Sequence, residues 1–101
     1  MKRESVNPWE WGLAYSMDQG ELVQGVERIL NCSGQVAVDP DPSSEMGIAV
    51  VGEGDIRAQI QKALENVDAV LEKGGLGRAN VLTLRFFTTD IDGFLENYDV
   101  Y

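Results

Sequence analysis

The sequence Asn-Cys-Ser-Gly-Gln-Val at residues 31–36 places a small polar group at the end of an apolar run, and the other segments are arranged around it. Its glycine lets the backbone approach another group closely. The Ser33 hydroxyl, the Gly34 N–H and the Gln35 amide could together bind a small polar ligand. A turn or bulge without a ligand explains the same spacing, and on spacing alone it is the favoured interpretation.

Two short strands are predicted around the start of this motif. They cover Gln19–Val23 and Arg28–Ser33, and the glycine within Gln24–Glu27 suits a hairpin turn. In the second strand Cys32 points away from Ser33, because side chains alternate between the faces of a strand. Cys32 is predicted to be a buried apolar residue, since a nucleophilic cysteine needs a base and the chain has no histidine.

The next segment is predicted to be a loop followed by a brief strand. Asp39–Ser44 contains two prolines, which favour a loop, and Ile48–Val51 is the strand candidate. Asp39 and Asp41 suggest a calcium site, but a calcium loop needs more oxygen ligands at regular spacing. A solvated loop is favoured, and no metal site is predicted.

An amphipathic helix is predicted to begin after Asp55, which follows Gly54 and is a good N-cap. Apolar residues recur at helical spacing along one face as far as Leu71. Gly74-Gly75 ends the helix. The opposite face is charged, which is typical of a solvated surface.

A largely apolar strand is predicted over Val81–Thr88. Leu84 and Phe86 lie on the face that should contact the helices. Arg85 and Phe87 lie on the other face, where an isolated guanidinium would be costly to bury. That face must therefore meet water, a carboxylate or another subunit.

Thr89–Asp92 offers capping residues for a second helix. Phe94, Tyr98 and Tyr101 recur at helical spacing, so the chain is predicted to end inside this helix. The order of hairpin, helix, strand and helix predicts an α+β domain with two helices on one face of a mixed sheet.

The N-terminal segment, residues 1–15, is predicted to be an arm. Asn7–Gly12 contains both tryptophans, and its proline and glycine disfavour a regular element. Trp9 and Trp11 are interpreted as anchors that hold this arm against the domain, in preference to residues that line a pocket.

Composition limits the possible partners. At 101 residues the chain is one small domain with a modest core, which oligomerisation would supplement. The net charge of −9 and eight scattered basic residues argue against a nucleic-acid partner, because phosphate binding relies on clustered Lys and Arg. The single cysteine excludes an intrachain disulfide. Because no apolar leader or membrane span is evident, a cytoplasmic protein without a membrane partner is predicted.

Several segments follow one another in the order and spacing of a known family. They are CSGQ at 32–35, the amphipathic stretch 59–72, GGL at 74–76, the apolar stretch 81–87 and TTDIDGF at 88–94. From about Gln19 to Tyr101 the chain therefore resembles the RidA/YjgF family of reactive-intermediate deaminases, also called endoribonuclease L-PSP proteins.

The resemblance implies a chorismate-mutase-like fold and a homotrimer with a ligand cleft at each subunit interface. Arg85 and Phe87 would then face the trimer interior. Such a sheet has two further strands, so residues 1–101 are expected to form a single RidA/YjgF-like domain that is incomplete at its C-terminus. No cofactor is implied, and the implied partner is a small-molecule substrate or metabolite.

The resemblance also implies substrate-binding positions. Ser33 and Gly34 match the family's Ser-Gly pair, which contacts ligand, and Phe87 matches an aromatic residue beside the cleft. Met17 stands where the family has a pocket tyrosine, and Tyr98 where it has an asparagine. The arginine that binds the substrate carboxylate and the glutamate that positions water would lie beyond the last residue, so no catalytic residue is assigned.

The family chemistry hydrolyses 2-imino acids to 2-oxo acids and ammonia. A guanidinium fixes the carboxylate, small donors orient the imine, and a carboxyl group relays a proton. Three functions are open: an imine/enamine deaminase that is inactive as the 101-residue chain, a non-catalytic metabolite-binding trimer, and a ribonuclease. Acidic charge and the absence of histidine disfavour the ribonuclease. An arginine encoded shortly beyond Tyr101 would favour the first function over the second.

Overall fold

The computed structural model describes residues 1–15 and 17–101, which form two compact units, Met1–Leu30 and Asn31–Tyr101. The first contains strand β1 (Lys2–Val6), a 3₁₀ helix (Trp11–Tyr15) and strand β2 (Gly20–Gln24). The second contains β3 (Val38–Pro40), β4 (Ile48–Val50), helix α1 (Ile56–Lys73), a 3₁₀ helix (Arg78–Asn80) and α2 (Ile91–Glu96). Helices and antiparallel strands together make the chain α+β. None of the helices in the described residues has the length and hydropathy needed to cross a membrane.

Polar side-chain pairs stabilise the first unit, in which β1 and β2 are antiparallel. The Arg3 guanidinium donates two hydrogen bonds, of 2.8 and 3.0 Å, to the Glu21 carboxylate on the neighbouring strand. Asn7 and Ser5 both donate to the Asp18 carboxylate, at 2.8 and 2.7 Å. The bond from Asn7, and then that from Ser5, lower the pKa of Asp18, because they stabilise its charged form.

The predicted pairing of Gln19–Val23 with Arg28–Ser33 is wrong. β2 covers most of the first segment, but its partner is β1, and residues 25–36 form no strand. Sequence patterns missed β1 because its residues, KRESV, do not alternate between apolar and polar. Cys32 is exposed rather than buried, because the strand that would have given it a packed face is not formed.

Helix α1 confirms the predicted boundaries. The Asp55 carboxylate caps it by accepting a hydrogen bond from the Ala58 N–H at 3.1 Å. Ile60 and Leu71, on the predicted apolar face, are only 2% and 6% exposed. The helix ends immediately before Gly74, as expected from the glycine pair.

Strands β3 and β4 form a short antiparallel ladder in which Val38 lies opposite Val50 and Pro40 opposite Ile48. The predicted brief strand near residue 48 is confirmed. The predicted loop is correct only from Asp41 onward, because β3 extends through Pro40. A proline is tolerated at the end of an edge strand, where its missing N–H leaves no ladder bond unmade.

An aromatic cluster contacts helix α2, which Asp90 caps as predicted. The buried Phe94 ring stacks on Phe86 with a centroid distance of 3.8 Å. Tyr101 packs edge-on against both rings, and its hydroxyl donates to the Leu84 carbonyl at 3.1 Å. These contacts connect residues 84–86 to α2.

Two further predictions differ from the structure. Val81–Thr88 forms no strand, because no strand in the described chain forms a ladder with it. Helix α2 ends at Glu96, so Tyr98 and Tyr101 lie beyond it. Within residues 1–15 and 17–101, two separate two-stranded antiparallel sheets replace the single mixed sheet that was predicted.

The turn before α1 provides a test of the fold. Gly52 and Gly54 have φ of +70° and +76°, and a Cβ on Gly52 would lie 2.9 Å from the Ala58 Cβ, whereas on Gly54 it would meet open space. We expect Gly54→Ala to lower the free energy of unfolding by about 1 kcal/mol through backbone strain alone. Gly52→Ala should lower it clearly further. Urea denaturation followed by circular dichroism compares the two, and equal losses would show that the contact with Ala58 is unimportant.

Candidate ligand-binding cleft

Two adjoining cavities, of about 580 and 210 Å³, lie within the second unit. The residues that line both are Gln35, Val36, Ile60, Ala63, Phe86 and Phe87. The larger cavity is also bordered by Thr88 and Thr89, and the smaller by Gly34 and Tyr101. The larger volume is typical of sites that hold small organic molecules. We refer to the two cavities together as the cleft.

Helix α1 supplies one wall of the cleft. Ile56, Ile60 and Ala63 border the larger cavity, and Leu64 and Val67 border the smaller. Residues three and four positions apart lie on the same face of a helix, so the apolar stripe of the sequence becomes one continuous surface. The stacking of Phe86 on α2 positions the opposite wall.

The polar groups of the cleft are amides and hydroxyls. Gln35 already donates to the Ser33 carbonyl at 3.2 Å, and the Thr88 hydroxyl accepts from the Asp90 N–H at 3.0 Å. Among the described residues that line either cavity there is no Lys, Arg, Asp or Glu. The cleft can therefore surround an apolar group and donate or accept hydrogen bonds, but it has no charge with which to bind a carboxylate.

The structure brings together two of the predicted site residues. Gly34 and Phe87 both line the smaller cavity, and Phe87 also lines the larger one, although its side chain is 86% exposed. Ser33 is exposed and precedes this wall without lining it. Tyr98 contacts the rings of Phe94 and Tyr101 but borders neither cavity.

Met17 belongs to the first unit, where its N–H donates to the Gly12 carbonyl at 3.1 Å. Its assignment to a pocket stays a prediction. Trp9 and Trp11, in the same unit, are 60% and 58% exposed, and their role as anchors stays a prediction. A 3₁₀ helix begins at Trp11, where no regular element was expected.

Some cleft residues were not predicted as such. Ile60 and Ala63 were assigned to the helix, because an apolar stripe does not distinguish a cavity wall from a packed core. Tyr101 was placed in a helix, yet it borders the smaller cavity with its hydroxyl bonded to Leu84. Burial raises the pKa of this hydroxyl, which keeps it a neutral donor. In the described part of the chain no group of three or more potential metal ligands is present.

Comparison with known proteins gives the family. The family model for endoribonuclease L-PSP proteins matches residues 17–101. The chain belongs to the RidA/YjgF family. This confirms the resemblance seen in the sequence motifs, which begins at almost the same residue.

The relatives of this RidA/YjgF chain come from several organisms. A RutC family protein of Aquifex aeolicus is 36% identical over 84 residues, which are 81% of this chain and 62% of that protein. A RutC family protein of Synechocystis is 32% identical over 69 residues, 68% of this chain and 49% of the relative. A 2-iminobutanoate/2-iminopropanoate deaminase of Salmonella typhimurium is 35% identical over 77 residues, 74% of this chain and 55% of that enzyme. The chain thus spans about half the length of the curated relatives it matches. No solved structure matches it.

The walls of this RidA/YjgF cleft can be tested with a matched pair of substitutions on α1. Ala63 lines both cavities, whereas Ala69 is exposed on the same helix. We expect Ala63→Phe to fill the cleft and weaken binding of the apolar dye anilinonaphthalene sulfonate by about tenfold or more, a difference of about 1.4 kcal/mol. Ala69→Phe should leave the affinity unchanged. Fluorescence titration measures both, and equal affinities would show that the dye does not enter the cleft.

Proposed function

We propose that this chain forms the apolar wall and the Ser33–Gly34 donor edge of a RidA-type cleft, in which reactive 2-imino or enamine acids are hydrolysed to 2-oxo acids and ammonia. The observation that carries the proposal is the cavity bordered by Gly34 and Phe87 in a chain of this family. The similarity to a protein named 2-iminobutanoate/2-iminopropanoate deaminase supports the same substrate class.

The cleft suits the alkyl part of such a substrate. The side chains of Ile60, Ala63 and Phe86 offer apolar contact to a short aliphatic group. The N–H of Gly34 and the hydroxyl of Ser33 are the donors that would orient the polar end. In the reaction the oxygen of water bonds to C2, nitrogen takes up protons, and the C–N bond breaks to release ammonia and leave the 2-oxo acid.

The uncharged lining has a consequence for activity. The substrate carboxylate needs a bidentate guanidinium for its orientation, and none is present in the lining that the structure describes. Arg85 is exposed and borders neither cavity. We therefore propose that the 101-residue chain is inactive by itself, and that the cation comes from outside these residues.

A non-catalytic metabolite-binding protein is the second candidate. Two observations favour it. Met17 and Tyr98 occupy the sequence positions where the family resemblance implies polar pocket groups, and the described lining of the cleft carries no charge. A ribonuclease is disfavoured, because a net charge of −9 opposes the approach of a polyanion.

The activity is tested with 2-iminobutanoate generated in situ by a threonine dehydratase. We expect the 101-residue chain to leave release of the 2-oxo acid at its spontaneous rate. A chimera carrying the family's C-terminal segment after Tyr101 should accelerate release, and replacing the added arginine by alanine should cost on the order of a hundredfold. Ser33→Ala in the chimera should have a smaller effect.

Two outcomes would contradict the proposal or favour its alternative. Full turnover by the 101-residue chain would place the chemistry on other residues. An inactive chimera that still binds 2-oxobutanoate in a calorimetric titration would favour the metabolite-binding function. The Salmonella relative, which is named for this activity, is the positive control.

We further propose that the chain associates as a homotrimer of chorismate-mutase-like subunits. Its large apolar side chains support this, because Ile29 and Phe87 are 77% and 86% exposed and Leu82 and Leu84 about half exposed. Static light scattering should give a mass three times the 11.1 kDa of one chain. A mass of one chain throughout the micromolar range would rule the trimer out.

A further inference from the structure

Hydrogen bonds occupy three consecutive carbonyls next to the cleft. The Asn66 Nδ2 donates to the carbonyls of Val36 and Val38, each at 2.9 Å. The Val38 N–H also donates to the Val36 carbonyl at 2.9 Å, and the Val51 N–H donates to the Ala37 carbonyl at 2.9 Å. One side chain therefore bonds to two of these three carbonyls from a position about 30 residues later in the sequence.

The chemistry of the partners determines the orientation of the Asn66 amide. Both neighbours are carbonyl oxygens, which only accept, so the NH₂ group must face them. Each of its two hydrogens is directed to one carbonyl. Aspartate has the same shape but would place a carboxylate against two acceptors.

A second contact from α1 lies one helical turn earlier. Lys62 and Asn66 are four residues apart and so lie on the same face of the helix. The Lys62 ammonium pairs with the Asp39 carboxylate at 2.5 Å, and this bond raises the pKa of the ammonium. Two side chains on one face of α1, Lys62 and Asn66, thus hold residues 36, 38 and 39 against the helix.

These contacts lie next to Gly34 and Gln35, two residues that line the smaller cavity and that we call the Gly34–Gln35 edge. Gly34 and Gln35 immediately precede Val36, and residues 25–36 form no ladder with any segment in the described chain. Asn66 itself lines neither cavity. We propose that Asn66 is a positioning residue, whose amide sets where the Gly34–Gln35 edge lies against α1. The inference rests on the proposed function only in treating this edge as part of the ligand site.

Asn66→Asp tests the proposal with little change in shape. A matched control is Asn97→Asp, since the Asn97 amide also donates to a backbone carbonyl, that of Gly93 at 2.9 Å, and Asn97 lines neither cavity. Its Oδ1 accepts from Arg57 at 3.4 Å, a bond that aspartate can keep. We expect the amide order parameters of Gly34 and Gln35 to fall below about 0.6 in Asn66→Asp, as in flexible backbone. Affinity for anilinonaphthalene sulfonate should fall about tenfold, because the two hydrogen bonds that position the edge are lost. The control should leave both quantities unchanged.

The pH dependence separates positioning from general destabilisation. Two carbonyl oxygens face the introduced carboxyl and disfavour its charged form, while the Lys62 ammonium one turn earlier is paired with the Asp39 carboxylate. The pKa of the introduced carboxyl should therefore be raised above the ordinary aspartate value of about 3.9. Below that raised pKa the protonated group again donates one hydrogen bond. Dye affinity of Asn66→Asp relative to the wild type should therefore recover as the pH is lowered through that raised pKa. Asn97→Asp should show no such recovery.

Several results would overturn the inference. They are unchanged order parameters and affinity in Asn66→Asp, edge amides that are already flexible in the wild type, or a lower melting temperature with the edge still ordered. If Asn66→Asp does not fold, Asn66→Ser retains one donor without charge and should give an intermediate loss of affinity. None of these readouts depends on turnover, so failure of imine hydrolysis and failure of Asn66 as a positioning residue are distinguishable.

Discussion

Packing against the apolar face of α1 is the interaction on which the second unit depends. Ile60 and Leu71 are two of the three most buried apolar residues of the described chain, and the third, Phe94, belongs to the aromatic cluster on α2. The same face gives the cleft its wall. The residues that pack against α1 do not fill the whole of its apolar face, and the cleft occupies the remaining space. Ile60 is therefore both a core residue and a residue that lines the cleft.

The division between what the sequence predicts and what it misses follows the range of the interactions. Helix α1 and the Asp90 cap depend on periodicity and on contacts within one turn, so a short stretch of sequence is enough to predict them. Strand pairing depends on residues far apart. Val81–Thr88 has the composition of a strand, but no strand in the described residues forms a ladder with it. In contrast, β1 lacks the apolar alternation and yet pairs with β2, with the ion pair of Arg3 and Glu21 across the two strands.

The candidate site shows the same limit. Gly34 and Phe87 were identified through family motifs, and the structure places both at one cavity. Ala63 and Tyr101 could not be identified from pattern alone, because a cavity exists only between elements. The role of Asn66 is even harder to predict from the sequence. An asparagine on a helix is ordinarily interpreted as a surface residue, and only the structure shows its two carbonyl partners.

The distribution of the aromatic residues makes the two units spectroscopically separable. Both tryptophans belong to Met1–Leu30, and Asn31–Tyr101 contains none. Tryptophan emission therefore originates in the first unit, while the far-ultraviolet circular dichroism is dominated by α1 in the second. Coincident transitions of the two signals on heating would mean that the units unfold as one cooperative structure. Separate transitions would mean that each unit has its own stability.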